Sequence, residues 1–348
     1  MDPWKLGPGL LVAGRFEIES LVRSGGMGKL FRAQDRETGG QVALKMLHLP
    51  AASDWALPRF TGEMTRLAGL RHPGIARPVA YGETEQGELY VATAWLEGED
   101  LARRLGPRPL RVSETLALAR QVAEALALAH AEGLVHGDLK PSRLFLCASP
   151  GPPTDPDPMM VGRMEAAMEG VTLLGFGLPR GNLSARTVTG SGEIVAQLRY
   201  VAPEQVQSAD PPGPQADIFA LGCVLFECLV GAPPFTGEHA GILLAQRLSG
   251  EVPLLRQMRP ELPVALEQLL GAMMAPSPAV RLAQGGELLA ALARLELEPR
   301  QLELVPAAVT SPPLAARSSG SAGGYVGVPR ERRMVSLILA LPPATGAG

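Results

Sequence analysis

Val135–Leu146 reads VHGDLKPSRLFL. In a few residues it offers an imidazole at His136, a carboxylate at Asp138, an ammonium at Lys140 followed by Pro141, and a guanidinium at Arg143. An aspartate beside a glycine is ordinarily a turn former whose carboxylate bonds nearby backbone. A carboxylate and an ammonium close together in a loop can also take a proton from a hydroxyl next to an anion. The flanking sequence decides between the two.

Upstream, RFEIESLV alternates apolar and polar residues, RSGGMG makes a glycine turn, and KLFRAQD and QVALKML read as further strands. Residues 58–70 (PRFTGEMTRLAGL) carry apolar side chains at helical spacing, and ELYVATAWL (88–96) is strand-like again. This predicts a small antiparallel sheet with one main helix. From about residue 97 the pattern turns helical: SETLALARQVAEALALAHAEG (113–133) starts on a serine turn signal and stops at Gly133. DIFALGCVLFECLVG (217–231) is apolar all round, as expected of a helix buried at the centre of a lobe. ELPVALEQLLGAMMA and GGELLAALARLELE complete a helical lobe ending near 297. The fold class is α+β and bilobed.

Residues 1–14 are a lead, 147–170 a proline-rich insertion with a methionine-bearing end, and 298–348 a Pro/Ser/Ala/Gly-rich linker and tail. Within that tail RERRMVSLILALPP (330–343) is a strand-like run, read as part of the terminus; it bears a weak resemblance to the opening strand of class III nucleotidyl cyclase domains.

With 348 residues, 46% of them hydrophobic, the chain can bury an ample core. A net charge of −3 gives no electrostatic reason to expect nucleic acid or an anionic membrane as partner. Three cysteines without metal-ligand spacing, no signal peptide and no apolar run long enough to span a bilayer fit a cytoplasmic protein. Only Lys5, Lys29, Lys45 and Lys140 are lysines among 32 basic residues, so a lysine here is placed for more than solubility.

SGGMGKLF lies between two strands, where backbone N–H groups of a glycine-rich loop can approach phosphate; alone it is more often a plain hairpin. Lys45, on a strand among apolar neighbours, reads as a phosphate contact, against the blander reading of an edge residue. Glu63 on the next helix is either its carboxylate partner or a solvated helix charge. Asp217 opens the buried helix and on its own reads as an N-cap.

In order and spacing, RSGGMGKLF, VALK, HGDLKP, APE (202–204) and DIFALG resemble the bacterial branch of the eukaryotic-like serine/threonine protein kinases over about residues 15–297. The resemblance implies a sheet lobe at 15–96 and a helical lobe at 97–297. It implies a nucleotide site formed by Val22, Gly25, Gly26, Gly28, Leu30, Ala43, Lys45 and Glu63, with Thr93 at the gatekeeper position and Trp95 in the adenine hinge. It makes Asp138 the catalytic aspartate, with Lys140 beside it. His136, Phe176, Asp217 and a Glu204–Arg281 ion pair become structural.

Four positions depart from the family pattern. The Asp-Phe-Gly triplet reads Gly175-Phe176-Gly177, the catalytic-loop asparagine is Arg143, the first glycine of the phosphate loop is Arg23, and the arginine before Asp138 is Gly137. The first two remove both side chains that hold Mg²⁺ in kinases. Magnesium wants oxygen donors; glycine has none, and guanidinium carries only donors and a fixed positive charge. No metal site is therefore expected. Arg143 is expected to contact phosphate in place of the metal, and Arg23 either to add a contact or to block the pocket mouth. The activation loop holds Ser184, Thr187, Thr189 and Ser191 without an arginine partner at 137, and Gln197 replaces the threonine that positions substrate.

The expectation is a signalling pseudokinase that binds ATP, without Mg²⁺, and an unidentified protein partner or substrate, with weak or no phosphotransfer. An active serine/threonine kinase with an unorthodox metal site and a nucleotide-free scaffold stand as the alternatives.

Overall fold

The computed structural model describes residues 6–25, 28–47, 56–148, 170–178, 198–208, 210–237, 239–249, 252–295, 299–302 and 304. They lie within one compact unit, 1–309. Six strands form an antiparallel sheet in the order β1-β2-β3-β4-β6-β5: β1 (Leu11–Val12), β2 (Phe16–Gly25), β3 (Gly28–Asp35), β4 (Gln41–Leu47), β5 (Pro78–Glu83) and β6 (Leu89–Ala94). Helix α1 (Ala56–Gly69) connects β4 to β5.

Alternation along β4 explains the sheet's two faces. Val42, Leu44 and Met46 point into a core with Phe16, Ile18, Phe31 and Ala92. Ala43 and Lys45 point the other way, and the register sets Leu30 opposite Lys45, Ala43 opposite Thr93 and Lys45 opposite Val91. Each buried aliphatic or aromatic side chain contributes about 1.5–3 kcal/mol, so a one-residue slip of β4 would forfeit that face and turn Lys45 into the core.

The second lobe is helical. Helix α2 (Leu101–Leu105) and the long α3 (Val112–Ala131) precede the 3₁₀ turn Pro141–Arg143. A three-stranded sheet, β7 (Gly98–Asp100), β8 (Leu144–Cys147) and β9 (Val171–Leu173), underlies the junction between the lobes. Then come α4 (Pro203–Gln207), α5 (Pro214–Val230), α6 (Ala240–Leu248), α7 (Leu255–Met258), α8 (Val264–Met273), α9 (Gly285–Ala293) and α10 (Pro299–Leu302). Nearly every residue of α5 from Ala216 to Val230 is buried, as its uniform apolarity predicts.

Several boundaries differ from the sequence reading. The lead joins the sheet: Leu11 and Val12 pair with β2, and the Gly9 N–H donates to the Ile18 carbonyl at 2.8 Å. Helix α3 begins a residue before Ser113, with Arg111 as cap and Glu114 accepting from the Arg111 N–H at 2.7 Å, so a returning carboxylate sets the start. Gly213, not Asp217, caps α5. Cys147 closes β8 and bonds Gly170 across the base of the insertion. The lobe runs past 297, since Leu302 and Leu304 pack on its core. The insertion beyond Ala148, the phosphorylatable loop residues, Gln197 and the 330–343 run lie outside the described residues.

Candidate functional site

Helix α5 positions the loop that opened the sequence analysis. Asp217 is fully buried, and its carboxylate accepts from the His136 N–H at 2.7 Å and the Gly137 N–H at 2.6 Å. His130 Nε2 lies 3.0 Å from the same carboxylate, and the Gly285 N–H donates to His130 Nδ1, which puts the ring proton on Nε2. Burial alone would raise the Asp217 carboxyl; the His130 hydrogen bond and the donors of His136 and Gly137 outweigh it and hold it low. Gly137 sits at φ +65°, a conformation glycine takes freely.

His136 stacks edge-on against Phe176 with centroids 4.7 Å apart, and its Nε2 meets the Leu174 carbonyl at 3.1 Å. Arg281 makes a paired bond to Glu204 at 2.6 and 2.8 Å and also donates to the carbonyls of Ala275, Gln215 and Pro276. The residues expected to be structural thus form two sets of contacts, His136 with Asp217 and Phe176, and Arg281 with Glu204.

Between the lobes lies a cavity of about 500 Å³. Gly25, Gly28, Leu30, Ala43, Lys45 and Thr93 line it from the sheet, and Lys140, Arg143, Gly175 and Phe176 from below. Leu67, Ala76, Pro78, Val91, Ala102, Leu174 and Leu178 add an apolar wall that the sequence reading did not name. Such a slot, apolar with a few convergent charges, suits a planar base with a charged tail.

Three expected contributors are elsewhere. Val22 is exposed and does not line the cavity. Trp95 follows the end of β6; its N–H bonds the Gln41 carbonyl, its indole N–H donates to Glu97 at 2.9 Å, and Arg32 covers its ring at 5.0 Å. Glu63 ion-pairs with Arg59, one turn earlier on α1, at 3.1 Å, and makes no bond to Lys45. The i,i+4 spacing supplies a partner without closing the helix onto the sheet. Gly26 lies outside the described residues.

The lower wall departs most from expectation. Arg143 does not reach freely into the cavity: its Nη2 and Nε donate to Asp138 Oδ2 at 2.7 and 3.1 Å. Lys140 Nζ grips both oxygens of the same carboxylate at 2.9 and 3.1 Å. Burial would raise Asp138, but Arg143 and Lys140 prevail and hold it at about 2. Gly175 takes φ +89°, and a Cβ there would stand 3.0 Å from Arg143 Nη1. Lys45 is pushed down to about 7, first by burial and then by Arg143 and Lys140, with Asp138 opposing.

The two positions whose side chains hold Mg²⁺ in kinases are Gly175 and Arg143 here. Position 175 presents no oxygen from a side chain, and Arg143 fills the adjacent space with a cation. Arg23, whose role the sequence left open, donates to Asp100 at 3.3 Å and so ties the phosphate loop to the other side of the cleft mouth.

A sheet lobe and a helical lobe, with Lys45 and Lys140 lining the cleft between them and a buried aspartate bracing the loop, define the protein kinase fold. The protein kinase domain family matches residues 16–289, and the chain belongs to that family. Among curated proteins it is similar to the serine/threonine-protein kinase PknA of Mycobacterium tuberculosis, 31% identical over 97% of this chain and 74% of PknA. It is 33% identical to the serine/threonine-protein kinase PknD of the same species over 79% of this chain, which covers 39% of PknD. The crystal structure of the M. tuberculosis PknI kinase domain matches with a TM-score of 0.62 at 27% identity, over 83% of this chain and 98% of that one.

Proposed function

We propose that this chain is a signalling module of the kinase fold that binds ATP without Mg²⁺ and transfers phosphate weakly or not at all. The observation that carries the reading is the Arg143–Asp138 ion pair at 2.7 Å beside a glycine at 175. Kinase catalysis depends on metal ions that bridge the phosphates and on an aspartate free to orient and accept from a hydroxyl. Here the aspartate is bonded to two cations, and the positions that supply metal ligands offer none. Losing one electrostatic contact of this kind typically costs about 10²–10³ in rate, and two are lost.

Nucleotide binding survives this argument. Lys45 from the sheet and Lys140 and Arg143 from below line one cavity and balance polyphosphate charge in place of a metal. The test is a thermal-shift titration with ATP, in EDTA and with Mg²⁺. Stabilisation in EDTA equal to or greater than that with Mg²⁺ is the expected result; stabilisation that requires Mg²⁺ refutes the metal-free part.

The second reading is an active serine/threonine kinase, favoured by Lys45 and Lys140 lining one cleft, with Asp138 bonded to Lys140, and by the names of the relatives. Incorporation of radiolabelled phosphate into a protein, abolished by Asp138→Ala, would establish it.

A further inference from the structure

A second cavity, of about 490 Å³, shares Ala76 and Thr93 with the nucleotide cleft. Its lining comes from the loop between α1 and β5, the end of β6 with Leu96 just beyond, and Thr172 of β9. Leu70, Ile75, Val79 and Leu96 make part of it apolar. Arg71 and Arg77, both exposed, and His72 make the rest cationic, and no acid lines it among the described residues. The Gly74 N–H donates to His72 Nδ1 at 3.0 Å, which puts the ring proton on Nε2 as a further donor. The Ala76 N–H donates to the Leu173 carbonyl at 3.0 Å and the Leu173 N–H to the Gly74 carbonyl at 2.8 Å. The loop that carries these cations is thus fixed against β9 before anything binds, which lowers the ordering cost of binding.

The proline-rich insertion leaves and rejoins the fold beside this cavity. The Ala148 N–H bonds the carbonyl of Glu97, the neighbour of Leu96, at 2.8 Å. The Gly170 carbonyl accepts from the Cys147 N–H at 2.9 Å, and Thr172, two residues on, donates to the Pro73 carbonyl at 3.2 Å. Residues 149–169, outside the described residues, carry Asp155, Asp157, Glu165 and Glu169 against a single basic residue, Arg163, and add four methionines. Acids answer a cationic lining, and methionine adapts its shape to an irregular apolar surface. Tethering at both ends keeps the segment at high effective concentration near the cavity, so even modest contacts fill it.

We infer that residues 149–169 of this chain dock into the cavity lined by Arg71, His72 and Arg77, with their acids on these cations and their methionines on Leu70, Val79 and Leu96. The docked segment then stands against the wall that Ala76 and Thr93 share with the cleft. The inference goes beyond the nucleotide reading and does not depend on it.

The experiment uses two forms of the full chain, unmodified and with Asp155→Asn, Asp157→Asn, Glu165→Gln and Glu169→Gln together. None of these four positions belongs to the described fold. Fluorescence anisotropy follows a labelled peptide of residues 149–169. The neutralised chain, its own segment released, is expected to bind this peptide. The unmodified chain should bind it roughly tenfold or more weakly, because its own segment competes. Adding Arg71→Gln and Arg77→Gln to the neutralised chain should weaken binding by roughly tenfold or more; both residues are exposed, and thermal unfolding checks that the chain still folds. No binding by the neutralised chain, equal binding by both forms, or unchanged affinity after loss of both arginines in a folded chain overturns the inference. Binding of labelled oligoglutamate with none of the segment peptide assigns the cavity to an acidic partner from outside the chain and also overturns it. So does sedimentation showing a dimer of the unmodified chain that the neutralised chain does not form, since the segment would then dock on a second copy.

Discussion

Arg143 Nη2 lies 2.7 Å from Asp138 Oδ2, so the residue in the asparagine position is bonded to the carboxylate it would otherwise stand beside. The pair is only partly solvent-exposed and Lys140 closes it from the other side. Removing Arg143 should therefore do two things at once. Arg143→Ala frees Asp138 and deletes a cation from the cavity floor, so ATP affinity in EDTA should fall by roughly tenfold, the worth of a charge-assisted bond. Calorimetric titration of both chains checks this; equal affinities would show that the guanidinium is spent on Asp138.

Restoring an acid at the Asp-Phe-Gly position should not work alone. Gly175→Asp forces a side chain into φ +89° and brings its Cβ within 3.0 Å of Arg143 Nη1. The backbone strain costs about 1–3 kcal/mol. Urea unfolding should show that loss in the single variant. Adding Arg143→Asn removes the close contact but not the φ penalty, so stability should recover only in part while the ATP-induced shift becomes Mg²⁺-dependent.

Lys45 makes binding pH-dependent. Its ammonium falls from 10.5 to about 7, through burial first and then Arg143 and Lys140, against Asp138. The folded chain therefore holds fewer protons than the unfolded one between these values, so this residue's contribution to stability rises with pH across that window and its penalty is complete below 7. Phosphate draws the proton back. ATP affinity should fall as pH climbs from 7 to 9, approaching roughly tenfold per unit, with proton uptake on binding. Calorimetry in two buffers of different ionisation enthalpy measures the uptake, and Lys45→Arg should flatten the profile because guanidinium does not titrate there.

Asp217 should be the most damaging single loss outside the cavity. Asp217→Ala leaves two buried backbone donors, at His136 and Gly137, and the His130 ring without their acceptor. Breaking a buried charged contact of this type costs about 3–5 kcal/mol. Thermal unfolding should show a large drop, and Asp217→Asn a smaller one, since its amide oxygen can still accept from one donor.

The sheet was legible because its chemistry is local. QVALKML reads as a strand over 41–47, where β4 lies, and the alternation that buries Val42, Leu44 and Met46 also turns Ala43 and Lys45 to the cleft. The Glu204–Arg281 pair and the bracing role of Asp217 join residues 77 and 80 apart in sequence, and only the family pattern could connect them. Glu63 was assigned to Lys45 by that same pattern, although Arg59 stood one turn away as a partner visible in the sequence. The Trp95 ring turns to Arg32, because β6 ends at Ala94 and alternation no longer governs which way the next ring points. Arg199, Tyr200 and Glu227 gave no signal, because residues that line a cavity together are far apart in sequence.

Gly175 and Arg143 also bear on how such a cleft changes over time. Gly175 holds a left-handed turn with the Arg143 guanidinium against it, so a change at either position alone meets an obstacle at the other. An aspartate at 175 would meet a cation and a strained backbone, and an asparagine at 143 would find no acid across from it. The two residues act as a ratchet, so the pair is expected to change together or not at all.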